Sequence, residues 1–306
     1  MSKKRLLCAR LLFALSISIL IFSFPEILFE SIKVSWNRCI NALLPSIFPM
    51  SVVSKQIYPY LFIEKGKSSD FVLKLFGFEK DILPVFFTSL LCGYPIPAII
   101  AADMLSRGEL SPQKAKKVTL LCNNPSPSFL IFFVGKIFFS SCFFGFLIFC
   151  CQTMAVVLCA RFYKCKADEK NLLKMQKESL SQSVSRSAIS CVSIFGFVIF
   201  FSLCKDLCAN LLRIFFGKSF VVLLVSGLFE ATSGIASAGD FPPLLKLVSV
   251  CFFSVFGGAS VFFQVKSATS EKLFSAGEYI RARLFVYLAT MFFAIPLFFL
   301  SKSSLL

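Results

Sequence analysis

The stretch LLCGYPIPAIIAADMLSRGELSPQKAKKVTLLCNNPSPSFLIFFVG, residues 90–135, holds two apolar runs with helix-breaking residues around a basic loop. The first run, 82–102, contains Gly93, Pro95 and Pro97, and proline in a helix interior kinks or ends the helix. Both flanks of this run are basic, and basic loops concentrate on the cytoplasmic side of a membrane. A single crossing cannot place both flanks there. We therefore predict a re-entrant hairpin that enters from the cytoplasm; a tilted, kinked helix is the alternative.

The composition of the chain is typical of a membrane protein. Of its 306 residues, 57% are hydrophobic and only 16% are charged, against about a quarter charged in soluble domains. The mean hydropathy is +0.81. The net charge of +16 would suggest nucleic acid in a soluble protein. Here the enrichment of Lys and Arg in cytoplasmic loops accounts for it, so we predict no nucleic-acid partner.

The residue types exclude several kinds of chemistry. The chain has no His, which excludes Ser-His-Asp triads, Cys-His dyads and His-ligated metals. None of its 13 Cys residues forms a C-x-x-C pair, and most lie in apolar runs, where Cys behaves as a small hydrophobe. We predict that the protein is not an enzyme and has no metal site and no cofactor.

Apolar runs of about 20 residues predict membrane-spanning helices. The first lies behind basic residues and lacks a small-residue cleavage site, which indicates an uncleaved helix with a cytoplasmic N-terminus. The run 118–160 is long enough for two crossings, with a bend near 136–142. About seven spans result, and the runs are 11–29, 39–62, 118–160, 188–203, 247–264 and 284–300.

The distribution of basic residues predicts the orientation. Most Lys and Arg residues fall in stretches that would all be cytoplasmic, and fewer fall in the outer stretches, which include Arg38. The run 220–245, which contains EATSGIASAGDFPP, has outer flanks and would be a second hairpin from the opposite face. We predict a multi-pass cell-membrane protein. The cytoplasmic stretches are 3–10, 65–80, 107–117, 161–186 and 266–283.

The two halves of the chain share a short match and an order of elements. SIFP at 46–49 aligns with SIFG at 193–196. In each half a polar loop, a broken hairpin and a helix with a polar centre follow, and the two halves start on opposite sides. This indicates an inverted repeat, the common plan of secondary transporters. The predicted parts are a helix (1–29), a first repeat (30–160), a cytoplasmic linker (161–187) and a second, inverted repeat (188–306).

Polar residues at membrane depth form the candidate substrate site. Buried amides and hydroxyls need partners, and helix ends at the midplane attract anions. For Gly257 and Gly258 we favour helix packing. Glu230 carries a coupling proton, binds a cation or contacts substrate; alternatively, it lies in water at the shallow end of its hairpin. The candidates are Gly93, Tyr94, Asn123, Asn124, Ser126, Glu230, Thr232, Ser233, Ser260 and Gln264.

The motifs CGYP and CNNPSP, with GLFEATSGIASAG and FGGASVFFQVKS in the second half, resemble the bacterial nucleoside-recognition (Gate) domain family. The second-half motifs are similar to the C-terminal half of the sporulation integral membrane proteins in that family. Cys92 and Pro97 stand where that family usually has Ser and Gly. The resemblance implies a fold related to concentrative nucleoside carriers. For the sporulation branch, it implies movement of dipicolinate during spore formation.

Together these observations predict a transporter-like all-α membrane protein that moves a small organic solute by alternating access. One alternative is a nucleoside carrier coupled to Na⁺ or H⁺. The other is a non-transporting scaffold that assembles with other spore-membrane proteins. The predicted partners are the solute and membrane lipid, with homo-oligomers as a further possibility.

Overall fold

The structure, a computed structural model, describes residues 22–61, 70–163, 165, 179–217, 219–270 and 272–303, and positions 11, 12, 15, 18 and 19. Within these residues there are helices and turns and no strand. The predicted helix 1–29 and the predicted linker 161–187 lie largely outside them. In chain order the α-helices are α1 (Pro25–Arg38), α2 (Leu44–Leu61), α3 (Asp70–Phe76), α4 (Leu83–Cys92), α5 (Ile96–Ser106), α6 (Pro112–Leu121), α7 (Cys142–Phe162), α8 (Leu180–Phe216), α9 (Phe220–Phe229), α10 (Ala231–Ser237), α11 (Pro243–Phe256), α12 (Gly258–Ala268) and α13 (Ala276–Ser303).

Four helical segments of the described chain are long and apolar enough to cross a membrane, which confirms the prediction of an all-α membrane protein. Three helices too short for a full crossing are also strongly apolar, and all three flank breaks: α4, α5 and α9. The four long segments are Cys142–Phe162, Leu180–Phe216, Pro243–Ala268 and Ala276–Leu300.

The predicted bend near 136–142 is confirmed. After the break that follows α6, a π-helical segment runs over Phe129–Phe138. The chain then turns, and the Ser141 hydroxyl accepts from the Phe144 amide at the start of α7. Gly145 packs so closely on the π-helical segment that an added Cβ would lie 2.4 Å from the Leu130 carbonyl oxygen. A small residue is therefore required where these two antiparallel segments meet.

Two helices begin earlier than the hydropathy predicts, because capping residues start them inside polar sequence. Ser179 and Gln182 form a capping box for α8. At α13 the Ser275 amide donates to the Glu278 carboxylate, and the Glu278 amide donates back to the Ser275 hydroxyl. Reciprocal bonds of this kind satisfy the free amides of a helix start. The first turns of α13 consequently include Arg283, which we predicted to lie in a cytoplasmic stretch.

The two segments aligned by the repeat pack against each other in opposite directions. The Trp36 and Phe195 rings meet edge to face at 6.4 Å, and the Ser51 hydroxyl bonds Ser187 at 3.0 Å. Residue numbers rise along α1 and α2 while they fall along α8, so the pair is antiparallel. A small apolar cluster that includes Cys39 and Val198 lies between them. Two larger apolar clusters form the rest of the core.

Candidate functional site

In the first half of the chain, the break between α4 and α5 packs on the break after α6. The Tyr94 amide donates to the Asn124 carbonyl oxygen at 2.8 Å. Gly93 has φ +71°, and an added Cβ would lie 2.5 Å from the Ser126 nitrogen. Only glycine permits this backbone conformation together with so close an approach. The predicted break in 82–102 is therefore confirmed, and it contacts the CNNPSP segment directly.

A second pair of breaks meets in the same way. Glu230 separates α9 from α10, and Gly257 separates α11 from α12, which begins at Gly258. Gly258 has φ +69°, and an added Cβ would lie 2.8 Å from the Gly227 carbonyl oxygen at the end of α9. This close contact agrees with the packing role that we predicted for the two adjacent glycines.

Glu230 lies in a dense network of hydrogen bonds, which we call the Glu230 cluster: Arg38, Glu230, Thr232 and Ser233. Its carboxylate accepts from the amide and hydroxyl of Thr232, at 3.0 and 2.6 Å. It also accepts from the amide and hydroxyl of Ser233, both at 2.8 Å. The carboxylate thus caps α10, as acidic groups do at helix N-termini. Glu230 is 3% exposed, so the alternative that it lies in water at the shallow end of its hairpin is wrong.

Arg38 completes this cluster from the end of α1. Its Nη1 donates to the Glu230 carboxylate at 3.1 Å and to the hydroxyls of Thr232 and Ser233 at 2.9 and 3.0 Å. A π-helical segment, Cys39–Leu43, follows Arg38 directly and leads into α2. From the sequence alone, Arg38 is assigned to an outer stretch because it lies between the first two predicted spans. It instead neutralises a buried carboxylate, since buried charges require partners.

A second arginine, Arg283, is fully buried and contacts the first pair of breaks; we call Arg283 and Asn124 the Arg283 cluster. The Arg283 guanidinium donates from Nη1 to Asn124 Oδ1 at 3.0 Å. Asn124 Nδ2 donates in turn to the Leu121 carbonyl oxygen at 2.7 Å, which fixes the direction of the amide. Arg283 is 0% exposed, so its prediction as a cytoplasmic-loop residue is wrong.

Tyr94 lies near enough to both clusters for their charges to act on it. Its phenol lies within electrostatic range of Glu230, Tyr279 and Arg283. Asn123 is 1% exposed, and neither end of its side-chain amide has a hydrogen-bond partner in the described part of the chain. The two clusters and the four breaks therefore occupy one region of the molecule.

The remaining predicted residues bond locally. The hydroxyls of Ser126 and Ser128 are 3.0 Å apart. Gln264 donates to the Ser260 hydroxyl at 3.0 Å, one turn away on α12, and both are buried. Among the described residues, no hydrogen bond connects these four side chains to either arginine. The structure therefore does not bring the whole predicted set together.

The space beside the first pair of breaks is small. A cavity of about 10 Å³ lies next to Asn124, with Ser89 and Gln152 among its lining residues. It has room for about one water molecule, so the breaks are closely packed in this conformation. A larger groove of about 790 Å³ lies outside the site, between α6, α7 and α13. Apolar residues such as Leu158 and Phe285 line it.

Both arginines were missed, but sequence signals mark each of them. The sequence SAGE at 275–278 is a capping-box pattern, which places Arg283 two turns inside a helix. The sequence from Ser31 to Leu44 contains no Gly or Pro, so a helix that includes Arg38 has no reason to stop there. When a helix continues from a basic residue into apolar sequence, that residue is expected to be buried with a partner and not to lie in a loop.

Comparisons of the chain with protein-family models, with curated proteins and with solved structures find no match. The resemblance to the Gate family therefore stays a prediction, and the geometry of the two clusters carries the functional argument.

Proposed function

We propose that this protein is a membrane carrier that moves a small organic solute by alternating access. The observation that supports this most is the meeting of two pairs of helix breaks around buried polar groups. Broken helices at membrane depth are tolerated where they are buried in protein or line a cavity. In secondary transporters, such breaks form the substrate site.

The proposed architecture has about seven spanning helices and two re-entrant hairpins in an inverted repeat. Two features support it. Each half contains a hairpin break that packs on the break of a following helix, at Gly93 and at Gly258. The helices aligned by the repeat are also antiparallel where they pack, as the Ser51–Ser187 contact illustrates. Rocking of the two halves would then open the site alternately to each side.

The proposed solute is small and organic, and dipicolinate is the candidate that the family resemblance implies. The alternative is a nucleoside carrier coupled to Na⁺ or H⁺. Four donors from Thr232 and Ser233 and one from Arg38 already occupy the Glu230 carboxylate. Few acceptor positions remain there for a cation, which favours the carrier without a Na⁺ site at Glu230.

Transport by purified protein in proteoliposomes tests the proposal. We expect uptake of labelled dipicolinate, with little uptake of labelled uridine in the presence or absence of a Na⁺ or H⁺ gradient. Asn124→Ala should reduce uptake strongly. The matched control is Asn210→Ala, because Asn210 lines a separate surface cavity with Glu26 and Lys205. Uridine uptake that requires a gradient would support the nucleoside carrier. Absence of uptake of either solute would support the scaffold.

Reporter fusions test the topology separately. Reporters placed after Lys80 and Arg107 should both give a cytoplasmic signal, and one placed after Lys218 should give an external signal. If the first two reporters fall on opposite sides, residues 82–102 form a plain crossing and the inverted repeat is wrong.

A further inference from the structure

Arg283 is buried, and three of the five N–H donors of its guanidinium are unused within the described part of the chain: the one on Nε and the two on Nη2. The side chain is 0% exposed, and Nη1 donates to Asn124 Oδ1. Neither Nε nor Nη2 has a hydrogen-bond partner among the residues that the structure describes. A buried cation without a partner costs several kcal/mol, so a site that retains one requires an explanation.

The neighbouring carboxylates do not neutralise this charge. Glu230 is bound to Arg38 at 3.1 Å, and Glu278, one turn before Arg283 on α13, is bound to Lys116. No ion pair within the described ranges includes Arg283. The groups that contact the guanidinium are neutral: the Asn124 amide and Tyr279, whose ring lies 5.4 Å from the guanidinium carbon and whose hydroxyl also interacts with Arg283. The interior therefore has a positive charge and no negative charge in contact with it.

The unused donors are the pair that suits a carboxylate. Nε–H and the adjacent N–H of Nη2 lie on the same edge of the planar guanidinium and point in parallel. A carboxylate accepts two parallel bonds from this edge, and such bidentate pairs are strong and specific. We propose that Arg283 binds a carboxylate of the transported solute through Nε and Nη2. This inference rests on the proposed carrier function and narrows its substrates to small organic carboxylates.

Asn124 is then a positioning residue. Its Nδ2 is bound to the Leu121 carbonyl oxygen, so its Oδ1 faces Nη1 and holds the guanidinium with the other edge free. Because the cavity beside Asn124 is only about 10 Å³, a whole solute enters only after the breaks separate. The carboxylate completes the missing hydrogen bonds when the breaks close on the bound solute.

Binding measurements on the purified full-length protein in a neutral detergent test this proposal without requiring transport. The probes are dipicolinate and its uncharged diamide, which has nearly the same shape, and the readout is the ligand-induced shift in melting temperature. For the wild type we expect dipicolinate to bind roughly tenfold or more tightly than the diamide, since only the carboxylate forms charge-assisted bonds with the guanidinium. Arg283→Gln should remove this preference.

The matched control is Arg281→Gln. Arg281 lies on the same helix two residues earlier and is exposed, so its replacement should leave the preference unchanged. Arg283→Lys should retain part of the preference, because Lys keeps the charge and loses the paired donors. If Arg283→Gln does not fold, Asn124→Asp replaces it. That variant supplies an internal carboxylate to the guanidinium and should weaken dipicolinate binding while retaining the fold.

The outcomes separate this inference from the carrier proposal. Equal binding of dipicolinate and the diamide by the wild type, or full dipicolinate binding by Arg283→Gln, overturns the role of Arg283. If an uncharged solute is taken up and Arg283→Gln does not change this uptake, the carrier function is supported and the carboxylate site is wrong. If dipicolinate binding depends on Arg283 but no solute is taken up in proteoliposomes, the carboxylate site is supported and the carrier function is wrong.

Discussion

The Glu230 cluster and the Arg283 cluster each contain one arginine, and they differ in how its charge is satisfied. The Arg38 side chain is 22% exposed, whereas Arg283 is fully buried. Arg38 contacts a carboxylate and two hydroxyls from a single nitrogen. Arg283, although more deeply buried, contacts one neutral amide oxygen. Burial alone therefore does not identify a functional charge. The cluster whose hydrogen bonds are complete stabilises the fold, and the cluster with unused donors is the better candidate for binding a ligand.

The largest expected effect is a loss of stability when the complete cluster is broken. Glu230→Ala removes the partner of Arg38 and the cap of α10, and loss of one member of a buried ion pair costs about 3 kcal/mol or more. We expect a strongly reduced melting temperature and a reduced yield of monodisperse protein in detergent. The double variant Arg38→Met with Glu230→Met should recover part of the loss, because it leaves no unpaired charge. A double variant that is as unstable as Glu230→Ala would contradict this account.

The next effect concerns the break beside the Arg283 cluster. Gly93→Ala places a Cβ 2.5 Å from the Ser126 nitrogen, which adds a steric clash to the backbone strain of a positive φ, for a total of about 2 kcal/mol or more. Gly108→Ala is the matched control, because Gly108 has φ +72° with nothing within 4 Å. It should lose only about 1 kcal/mol. Thermal unfolding of the two variants checks the difference, and equal losses would mean that the contact between the breaks is loose.

Arg283→Met should change stability in the opposite direction from Glu230→Ala. Replacing an incompletely paired buried charge with an apolar side chain is neutral or stabilising, by about 1–2 kcal/mol, even after the loss of the bond to Asn124. We expect an unchanged or raised melting temperature together with loss of dipicolinate binding. A large drop in melting temperature would indicate that Arg283 has a structural role like that of Arg38.

The smallest expected effect tests whether the start of the helix that carries Arg283 influences ligand binding. Ser275→Ala removes one half of the capping box of α13, and loss of such a cap costs about 1 kcal/mol. The rest of the helix packs in the core, so we expect a slightly lower melting temperature and nearly unchanged dipicolinate affinity. A tenfold loss of affinity at full stability would show that the start of α13 controls the guanidinium directly.

Apolar runs and helix breakers predicted much of the fold. Gly93 and Pro95 marked the break between α4 and α5, and hydropathy marked the long helices, because both signals depend on local sequence. Hydropathy placed the ends of α8 and α13 too far inward, since capping residues in polar sequence extend these helices. The orientation in the membrane and the inverted repeat stay predictions.

The predicted candidates include the neutral polar residues of the two clusters and Glu230, but not the two arginines. Asn124, Thr232 and Ser233 stand out as polar groups in apolar runs, and each has a place in one of the clusters. The two arginines did not stand out, because counting charges treats every basic residue as part of a loop. Their partners lie 192 and 159 residues away in the chain, and no local pattern indicates a pairing over that distance.

The π-helical segment Cys39–Leu43 follows Arg38 directly, so its turn geometry affects where the Arg38 side chain lies relative to Glu230. A π-turn holds one more residue than an α-turn, so its conversion to α-helix passes that residue into the next turn. As a result, α1 would rotate by about 100° about its axis and shift by about 1.5 Å along it relative to α2. Such a step would carry the Arg38 side chain off Glu230 while every other helix stays in place. The π-helical turn after Arg38 therefore sets the register in which the guanidinium reaches the Glu230 carboxylate.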